Sequence, residues 1–514
     1  MKKGFTLIEL LAVILILSIV ALIAIPIVND VLKESQMGAF KTTTLTIANK
    51  AEEVCQLEGI KNTKITNLYT IINGKIDKPL EIKGNFPQEG YILVNNKCEV
   101  AYSFYDGDNT ISKNFKETKQ LVNNNNKNAK VYGLEWRSNI STLDDTYTRT
   151  LDASSIGDDE VNVQIGNTPV TNAFDKLDIY KDIQPYTDEF GNDFILIPKF
   201  YIKKTKEITN SEIIWNYAVS KHKLDNNYYL PASFVDEGAN NKNKIELPYI
   251  LVGKYEGSSN GKSGEEEKMV SKSGLDPKLN ITFNFARTLA NRYNLIDGIN
   301  GYQQYDIHAH DLLYVLFYIE FASVNSQKIM RGNTTNSIFL KTGNSDIIKS
   351  SSGSLSNNGN TSFHYRGIEN IWGNVWQFVD GINIDNNINN EVEDSNVISN
   401  IYVSKNSRLY NSITLNESYN LVKDYKKLNQ IGYISDSGFD DEFPFVNLPI
   451  KIGGNADTGI GAHYYQDIIK SYKVALAGGD WDYGYAAGNS IYLNWTSTYS
   501  GYDVGARLLK SAIQ

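Results

Sequence analysis

The chain has 514 residues, 41 % of them hydrophobic, with 50 Lys+Arg against 59 Asp+Glu and a formal net charge of −9. At roughly 100–200 residues per domain that length implies about two to four domains, and the apolar share excludes wholesale disorder. The acidic balance argues against a nucleic-acid binder, which needs a basic field, and 2 cysteines exclude a disulfide-dense scaffold or a four-cysteine zinc site. Tyrosine is over-used, 33 against 20 Phe and 6 Trp; amphipathic rings in that excess suit a contact surface more than a core.

Residues 1–4, Met1-Lys2-Lys3-Gly4, form a short basic leader, and residues 5–28 are apolar except for interruptions at Thr6, Glu9, Ser18 and Pro26. As a helix the run reaches about 36 Å, enough to cross a hydrocarbon core near 30 Å. A secretory signal peptide is the ordinary alternative, but the run exceeds a typical h-region and no small-residue cleavage site follows. In a plain membrane anchor Glu9 would cost about 2.5–3.5 kcal/mol, so its carboxylate calls for a partner. Beyond the membrane, Phe40, Thr44, Ile47, Ala51 and Val54 step by four and three, which predicts a helical face packed on a small head. Residues 68–72, 91–94 and 100–104 read as strands separated by Gly/Asn/Asp turns. Cys55 and Cys98 bracket this head, 43 residues apart. After export they can form a disulfide worth about 4 kcal/mol on the loop-entropy model; two buried free thiols are the alternative. The Asn-rich run at 123–128 marks a boundary, which gives a head at 29–122, a linker at 123–130 and a second domain at 131–514.

In the second domain, strand-like runs (194–197, 249–252) alternate with polar loops (257–272, 350–362). Helices are expected over about 282–293 and about 311–322, the latter with Leu312, Leu316, Ile319 and Ala322 on one face. No repeat of solenoid or propeller length is visible. The class is loop-rich α+β. No Gly-rich phosphate loop occurs, and the one G-x-S-x-G match, residues 257–261, lies in the polar loop 257–272 and is not read as an elbow. His308 and His310, if extended, share a strand face and offer two metal ligands; otherwise they cap or flank the helix that follows. His364 and His463 are isolated.

The C-terminal stretch 480–503 has tyrosines at 483, 485, 492, 499 and 502 among Ser, Gly, Asn, Asp and Thr, with no Lys, Arg or Glu. Antibody loops use the same alphabet, in which Tyr and Trp give contact area with few rotors and small polar residues adapt their hydrogen bonds. A polar hairpin shielded by its own tyrosines is the alternative reading. The ligand-binding set is Asp480, Asp482, Tyr483, Tyr485, Asn489, Ser490, Tyr492, Asn494, Trp495, Ser497, Tyr499, Ser500, Tyr502 and Asp503.

Three resemblances bear on this organisation. The basic leader, Gly4 and Phe5-Thr6-Leu7-Ile8-Glu9-Leu10 resemble the type IV prepilin signature. That resemblance implies cleavage after Gly4 by a prepilin peptidase, N-methylation of Phe5, and pairing of Glu9 with the terminal amine of a neighbouring subunit. Pro26 falls where the family tolerates a proline. Residues 367–381, with Trp372-Gly373-Asn374-Val375-Trp376, resemble the GNVWEW block of formylglycine-generating-enzyme-like domains. Gly478-Gly479-Asp480-Trp481 and Gly505-Ala506-Arg507-Leu508 look like that family's GGSW and GFRL elements. The fold so implied for 131–514 is C-type-lectin-like, with Trp372, Gly373, Asn374, Trp376, Gly478, Gly479, Trp481, Gly505 and Arg507 as scaffold. Large rings would anchor the core of a strand-poor fold, and the glycines permit tight turns. The family's oxidase uses a cysteine pair for copper, and no cysteine follows Cys98; no catalytic residue, metal or cofactor is therefore expected. Asp380, Asp385 and Asp394 leave calcium open, since some lectin-like folds bind it, against an ordinary solvated acidic loop.

Finally, the 480–503 stretch resembles the variable region of retroelement-diversified proteins, in which adenine-directed reverse transcription rewrites AAY codons. Gly484, Gly488 and Leu493 would join the framework, and Trp495 departs from the codon pattern. Together these features imply a minor type IV pilin, displayed at the tip after a single-pass stage in the cytoplasmic membrane. Its partners would be other pilins and an external protein or glycan, and not nucleic acid. A tethered formylglycine-type enzyme and a pseudopilin of a secretion system are the alternatives.

Overall fold

A computed structural model describes residues 6–57, 67–82, 84–115, 117–124, 129–139, 145–236, 244–385, 400–406, 410, 419–422, 432–455, 460, 463–464 and 472–513, with backbone only at 121, 123, 124, 463, 464 and 490. Gly4, Phe5 and Asp394 lie outside the described residues, as do positions 125–128 of the expected linker.

Helix α1 (Leu7–Leu57) starts with a reciprocal cap. The Thr6 backbone N–H and hydroxyl both donate to Glu9 Oε2 at 2.8 Å, and the Glu9 N–H returns to Thr6 Oγ1 at 3.3 Å. This Thr-x-x-Glu arrangement satisfies N–H groups that have no partner within the helix. The N-terminal part of α1 is long and apolar enough to cross a membrane, and none of its most apolar window is buried. Farther along, Phe40, Thr44, Ile47, Ala48 and Ala51 are buried and Val54 packs beside them.

They pack on a six-stranded antiparallel sheet made of β1 (Asn67–Ile72), β2 (Lys75–Ile76), β3 (Glu89–Val94), β4 (Val100–Tyr105), β5 (Asn109–Lys113) and β6 (Leu121–Asn124), in the order β2-β1-β3-β4-β5-β6. Side chains alternate strictly between its faces, as strand geometry requires. Tyr69, Ile71, Ile92, Val94, Val100, Tyr102 and Phe104 join the α1 cluster. Leu68, Ile72, Tyr91, Leu93 and Ala101 enter a second core shared with Tyr186, Phe194, Tyr249 and Leu251 of the larger part. The sheet is therefore covered on both faces, with Thr70 Oγ1 2.8 Å from Tyr249 OH and the Tyr91 and Tyr249 rings edge to face at 5.6 Å. Cys55 and Cys98 are joined by a disulfide that ties the end of α1 to the β3–β4 turn. Asn123 and Asn124, expected in a linker, belong to β6, paired with Thr110 and Asn109.

The larger part is sheet-rich, a correction to the expected strand-poor, loop-rich fold. A four-stranded sheet runs Tyr201–Ile208, Glu212–Ser220, Val131–Asn139, Thr146–Leu151. A five-stranded sheet runs Gln184–Thr187, Asp193–Pro198, Tyr249–Gly253, Leu508–Ser511, Tyr302–Gln304. In a third sheet, β7 (Trp376–Asp385) pairs with β8 (Tyr472–Gly478), which pairs with β9 (Gly488–Thr496). Many connecting strands are two residues long, such as Gly353–Ser354 and Ser258–Ser259. Ser and Gly there carry no strand signature of β-branched or aromatic residues.

Helix α2 (Phe283–Asn291) is capped by Thr282 Oγ1, which accepts from the Phe285 N–H at 3.2 Å. Helix α3 (Ile307–Phe321) begins earlier than expected because Asp306 caps it, accepting from the Ala309 N–H at 2.8 Å. Every residue of α3 is buried, so the single apolar face expected for it is corrected to burial all round.

Candidate ligand-binding surface

The frame for residues 480–503 is built by close backbone approach. Leaving β8, Gly478 (φ +96°) faces Trp372, whose Cα would lie 3.1 Å from any added Cβ, and Gly479 (φ +82°) faces Ala487 Cβ at 2.5 Å. Both positions need positive φ and lack room, so only glycine fits. Gly373 (φ +71°) donates its N–H to the Gly478 carbonyl at 3.0 Å. Trp372 is fully buried and donates Nε1–H to the Met330 carbonyl at 2.9 Å. Val504 and Gly505 run parallel to Trp376 and Gln377.

Arg507 is a buried hub. It donates to Gln377 Oε1 (2.9 Å) and to the carbonyls of Gly253 (2.9 Å), Lys254 (3.3 Å), Glu369 (2.7 Å) and Asn370 (2.9 Å). Asn374 (φ +63°) donates to Glu256 Oε2 at 2.6 Å and the Leu340 carbonyl at 3.2 Å, while its own carbonyl oxygen accepts from Asn333 Nδ2 and the Leu340 N–H. Glu256 was not foreseen. It is fully buried, and burial pushes its carboxyl up to about 8. A lone glutamate after a strand carries no sequence pattern.

The expected binding set divides into three. Asp482, Tyr485, Ser500 and Tyr502 are exposed, whereas Asp480, Tyr483, Asn489, Trp495, Tyr499 and Asp503 are half-buried. Tyr492, Asn494 and Ser497 are buried, a correction to their assignment as displayed residues; the side chain of Ser490 lies outside the described residues. The cause is that β9 is covered on both faces. Ile491 and Leu493 enter one core and Tyr492 the other. The Tyr492 ring lies 4.5 Å from Trp376, and its hydroxyl is 2.5 Å from the Tyr483 hydroxyl; Tyr483 meets Trp376 edge-on at 5.1 Å.

On the open side, Trp495 and Tyr499 stack at 3.8 Å, and Tyr502, 71 % exposed, lies 6.0 Å from Trp481. The Arg331 guanidinium sits 3.9 Å over the Tyr485 ring. Asp482 donates its N–H to Asp480 Oδ1 at 3.0 Å. Burial, reinforced by the neighbouring Asp503 carboxyl, pushes the Asp480 carboxyl up to about 6. A segment about 150 residues upstream cradles this surface. Ser326 Oγ accepts from the Asn489 N–H (2.9 Å), Gln327 Nε2 donates to the carbonyls of Gly484 (2.9 Å) and Ala487, and the Thr334 carbonyl accepts from the Gly484 N–H (2.6 Å). Nothing in the sequence links these distant residues.

The histidine pair is not extended. His308 and His310 lie inside α3 at i and i+2, which do not face each other on a helix. His308 Nε2 is 2.8 Å from the Ser404 carbonyl, and burial holds His308 down at about 4 and His310 at about 3. Among the described residues no three His, Cys, Asp or Glu side chains gather as a metal site. Asp380 is committed to a bidentate pair with Arg287 at 2.7 and 2.8 Å, and Asp385 ends β7 half-buried. His364 is buried with Nε2 3.0 Å from the Ser350 carbonyl; the side chain of His463 lies outside the described residues.

Residues 1–25 match the prokaryotic N-terminal methylation motif. No curated protein matches the chain. Among solved structures it is similar to the Major Tropism Determinant M1 variant, at 11 % identity and a TM-score of 0.24 over 80 % of each chain. The Major Tropism Determinant P3c variant gives 11 % and 0.24 over 80 % of this chain and 81 % of that one. A superposition that loose establishes neither fold nor ligand.

Proposed function

We propose that this protein is a minor type IV pilin, displayed at the cell surface, whose large C-terminal domain binds an external protein or glycan through the open side of residues 480–503. The methylation motif at 1–25 and the unburied apolar part of α1 support the pilin half of this reading. Prepilin peptidase cuts after Gly4, Phe5 is methylated, and Glu9 exchanges its Thr6 cap for the terminal amine of a neighbouring subunit. The α1–β6 unit is the pilin head. Residues 131–514 form a C-type-lectin-like, non-catalytic domain whose bulk favours the filament tip. Retroelement-directed variation of the exposed positions is part of the same reading.

The observation that carries the binding half is the surface itself. Tyr485, Trp495, Tyr499 and Tyr502 stand with Asp480, Asp482 and Asp503 on a frame fixed by Arg507, Trp372 and glycines that tolerate no side chain. Rigid rings on a rigid frame lose little entropy on binding, and interface aromatics carry about 2 kcal/mol or more each when central. The double variant Tyr485→Ala/Tyr502→Ala, tested as full chain on candidate host or partner cells, should keep its melting temperature and lose at least about tenfold in binding. Unchanged cell binding by that variant would remove this surface from the function.

A further inference from the structure

A cleft of about 590 Å³ opens where the end of β5 meets the larger part, and it shares no residue with 480–503. Its volume falls within the roughly 300–1,000 Å³ typical of small-molecule sites. Phe115, Ile183 and Ile348 give it an apolar wall.

Lys349 stands exposed on the rim without an ion pair among the described residues, but the other cations of the cleft already have acidic partners. Lys181 pairs with Glu117 at 2.9 Å, Lys254 with Asp346 at 2.7 Å, and Arg366 with Asp175 at 2.7 Å. The Asp346 carboxylate also accepts from Tyr255 OH (2.7 Å) and Ser273 Oγ (2.8 Å); Lys254 first, then these two hydroxyls, hold it below the usual carboxylate range against its burial. An ionic ligand would have to break such pairs and pay for an uncompensated partner. Neutral hydroxyls need not, because each can accept from the ammonium while donating to the carboxylate.

Two further polar atoms in the cleft, His364 Nδ1 and Ser351 Oγ, have no hydrogen bond among the described residues. His364 is 7 % exposed, and burial holds it neutral, down at about 4. With Nε2–H given to the Ser350 carbonyl, Nδ1 is an acceptor without a hydrogen bond among the described residues. Ser351 Oγ is likewise buried and unpaired among the described residues. The buried hydroxyl left unmatched costs free energy that a ligand's hydroxyl would recover.

We propose that this cleft is a saccharide site, distinct from the 480–503 surface: the apolar wall takes the C–H face of a sugar ring, and the Lys254–Asp346 pair, Ser351 and His364 Nδ1 take its hydroxyls. The test uses the full chain in a detergent without a sugar headgroup. Glucose, galactose, mannose, N-acetylglucosamine, their disaccharides and glucuronate are titrated by calorimetry and saturation-transfer NMR. At least one neutral sugar should bind with Kd of about 1 mM or tighter. Thr171→Trp and Lys349→Trp, at exposed positions on the rim, should each weaken it at least about tenfold at unchanged melting temperature, whereas Tyr502→Ala should leave it unchanged. No neutral sugar binding at about 10 mM, binding indifferent to both tryptophans, or binding of glucuronate alone overturns the proposal. Cell binding through Tyr485 and Tyr502 is read separately and stands or falls independently.

Discussion

Strands β3 and β9 are each buried on both faces, yet they are made differently. β3 reads Glu-Gly-Tyr-Ile-Leu-Val and sends Ile92 and Val94 to the α1 cluster and Tyr91 and Leu93 to the shared core. β9 reads Gly-Asn-Ser-Ile-Tyr-Leu-Asn-Trp-Thr, with its buried apolar run confined to Ile491 to Leu493 and one half-buried ring, Trp495, near its end. Leu93 and Tyr492 nevertheless belong to one continuous core that also holds Trp376. The difference shows how a strand can serve two solvents. A strand wholly inside carries a long apolar run, whereas one that runs out to solvent keeps a short apolar centre and places most of its polar residues toward the ends.

The largest test of this equivalence is Trp376→Ala, which removes the ring under Tyr483 and Tyr492. A loss of about 3–5 kcal/mol is expected, typical of a buried tryptophan, read in denaturant unfolding. If the shared core is one unit, the transition stays single; a separate early transition of the 480–503 region would break the comparison. Next, Ile92→Ala in β3 should cost about 2–5 kcal/mol. Tyr492→Phe in β9 should cost only about 1 kcal/mol, because it removes one hydroxyl and leaves the ring packed. Equal losses would mean that the Tyr492 hydroxyl bears more of the structure than its ring.

The smallest effect is electrostatic. The Asp480 carboxyl stands at about 6 in the folded chain, above its ordinary value near 3.9. The folded state thus holds this proton longer than the unfolded one, so its contribution to stability is present below about pH 4 and is lost as pH rises to about 6. Asp480→Asn should flatten that part of the melting-temperature profile between about pH 4 and pH 7. Parallel profiles for the two proteins would show that Asp480 titrates normally.

The N-terminal unit was legible because its signals are local. Phe40, Thr44, Ile47 and Ala51 repeat at helical spacing, and the aromatic and β-branched runs of β1, β3 and β4 stand between clear turns. Gly478, Gly479 and Arg507 were legible as motif positions, and each meets a close neighbour that explains it. Three kinds of feature were not legible. The α3 histidines hide the start of a helix that is buried all round, because two polar rings break the apolar pattern. The sorting of Tyr492 from Tyr502 depends on what covers β9, which composition does not encode. Glu256 and Gln327 act across long sequence separations, to Asn374 and Ala487, and leave no spacing to read.

The disulfide at Cys55 has a mechanical meaning. If α1 anchors the chain in a filament, a ligand held at Tyr485 or Tyr502 pulls against that anchor. The covalent route from α1 into the sheet is then the Cys55–Cys98 bond, which bypasses residues 56–97 and delivers load to the β3–β4 turn at the middle of the sheet. From there tension passes by shear through the core that joins Leu93 to Tyr249 and Trp376, and into Leu508–Ser511, an interior strand of its sheet. Shear across packed faces loads many contacts at once, whereas peeling an edge loads them one by one. On the proposed reading the chain is a tether that stiffens the grip it carries, and reduction of one bond should soften it without touching residues 480–503.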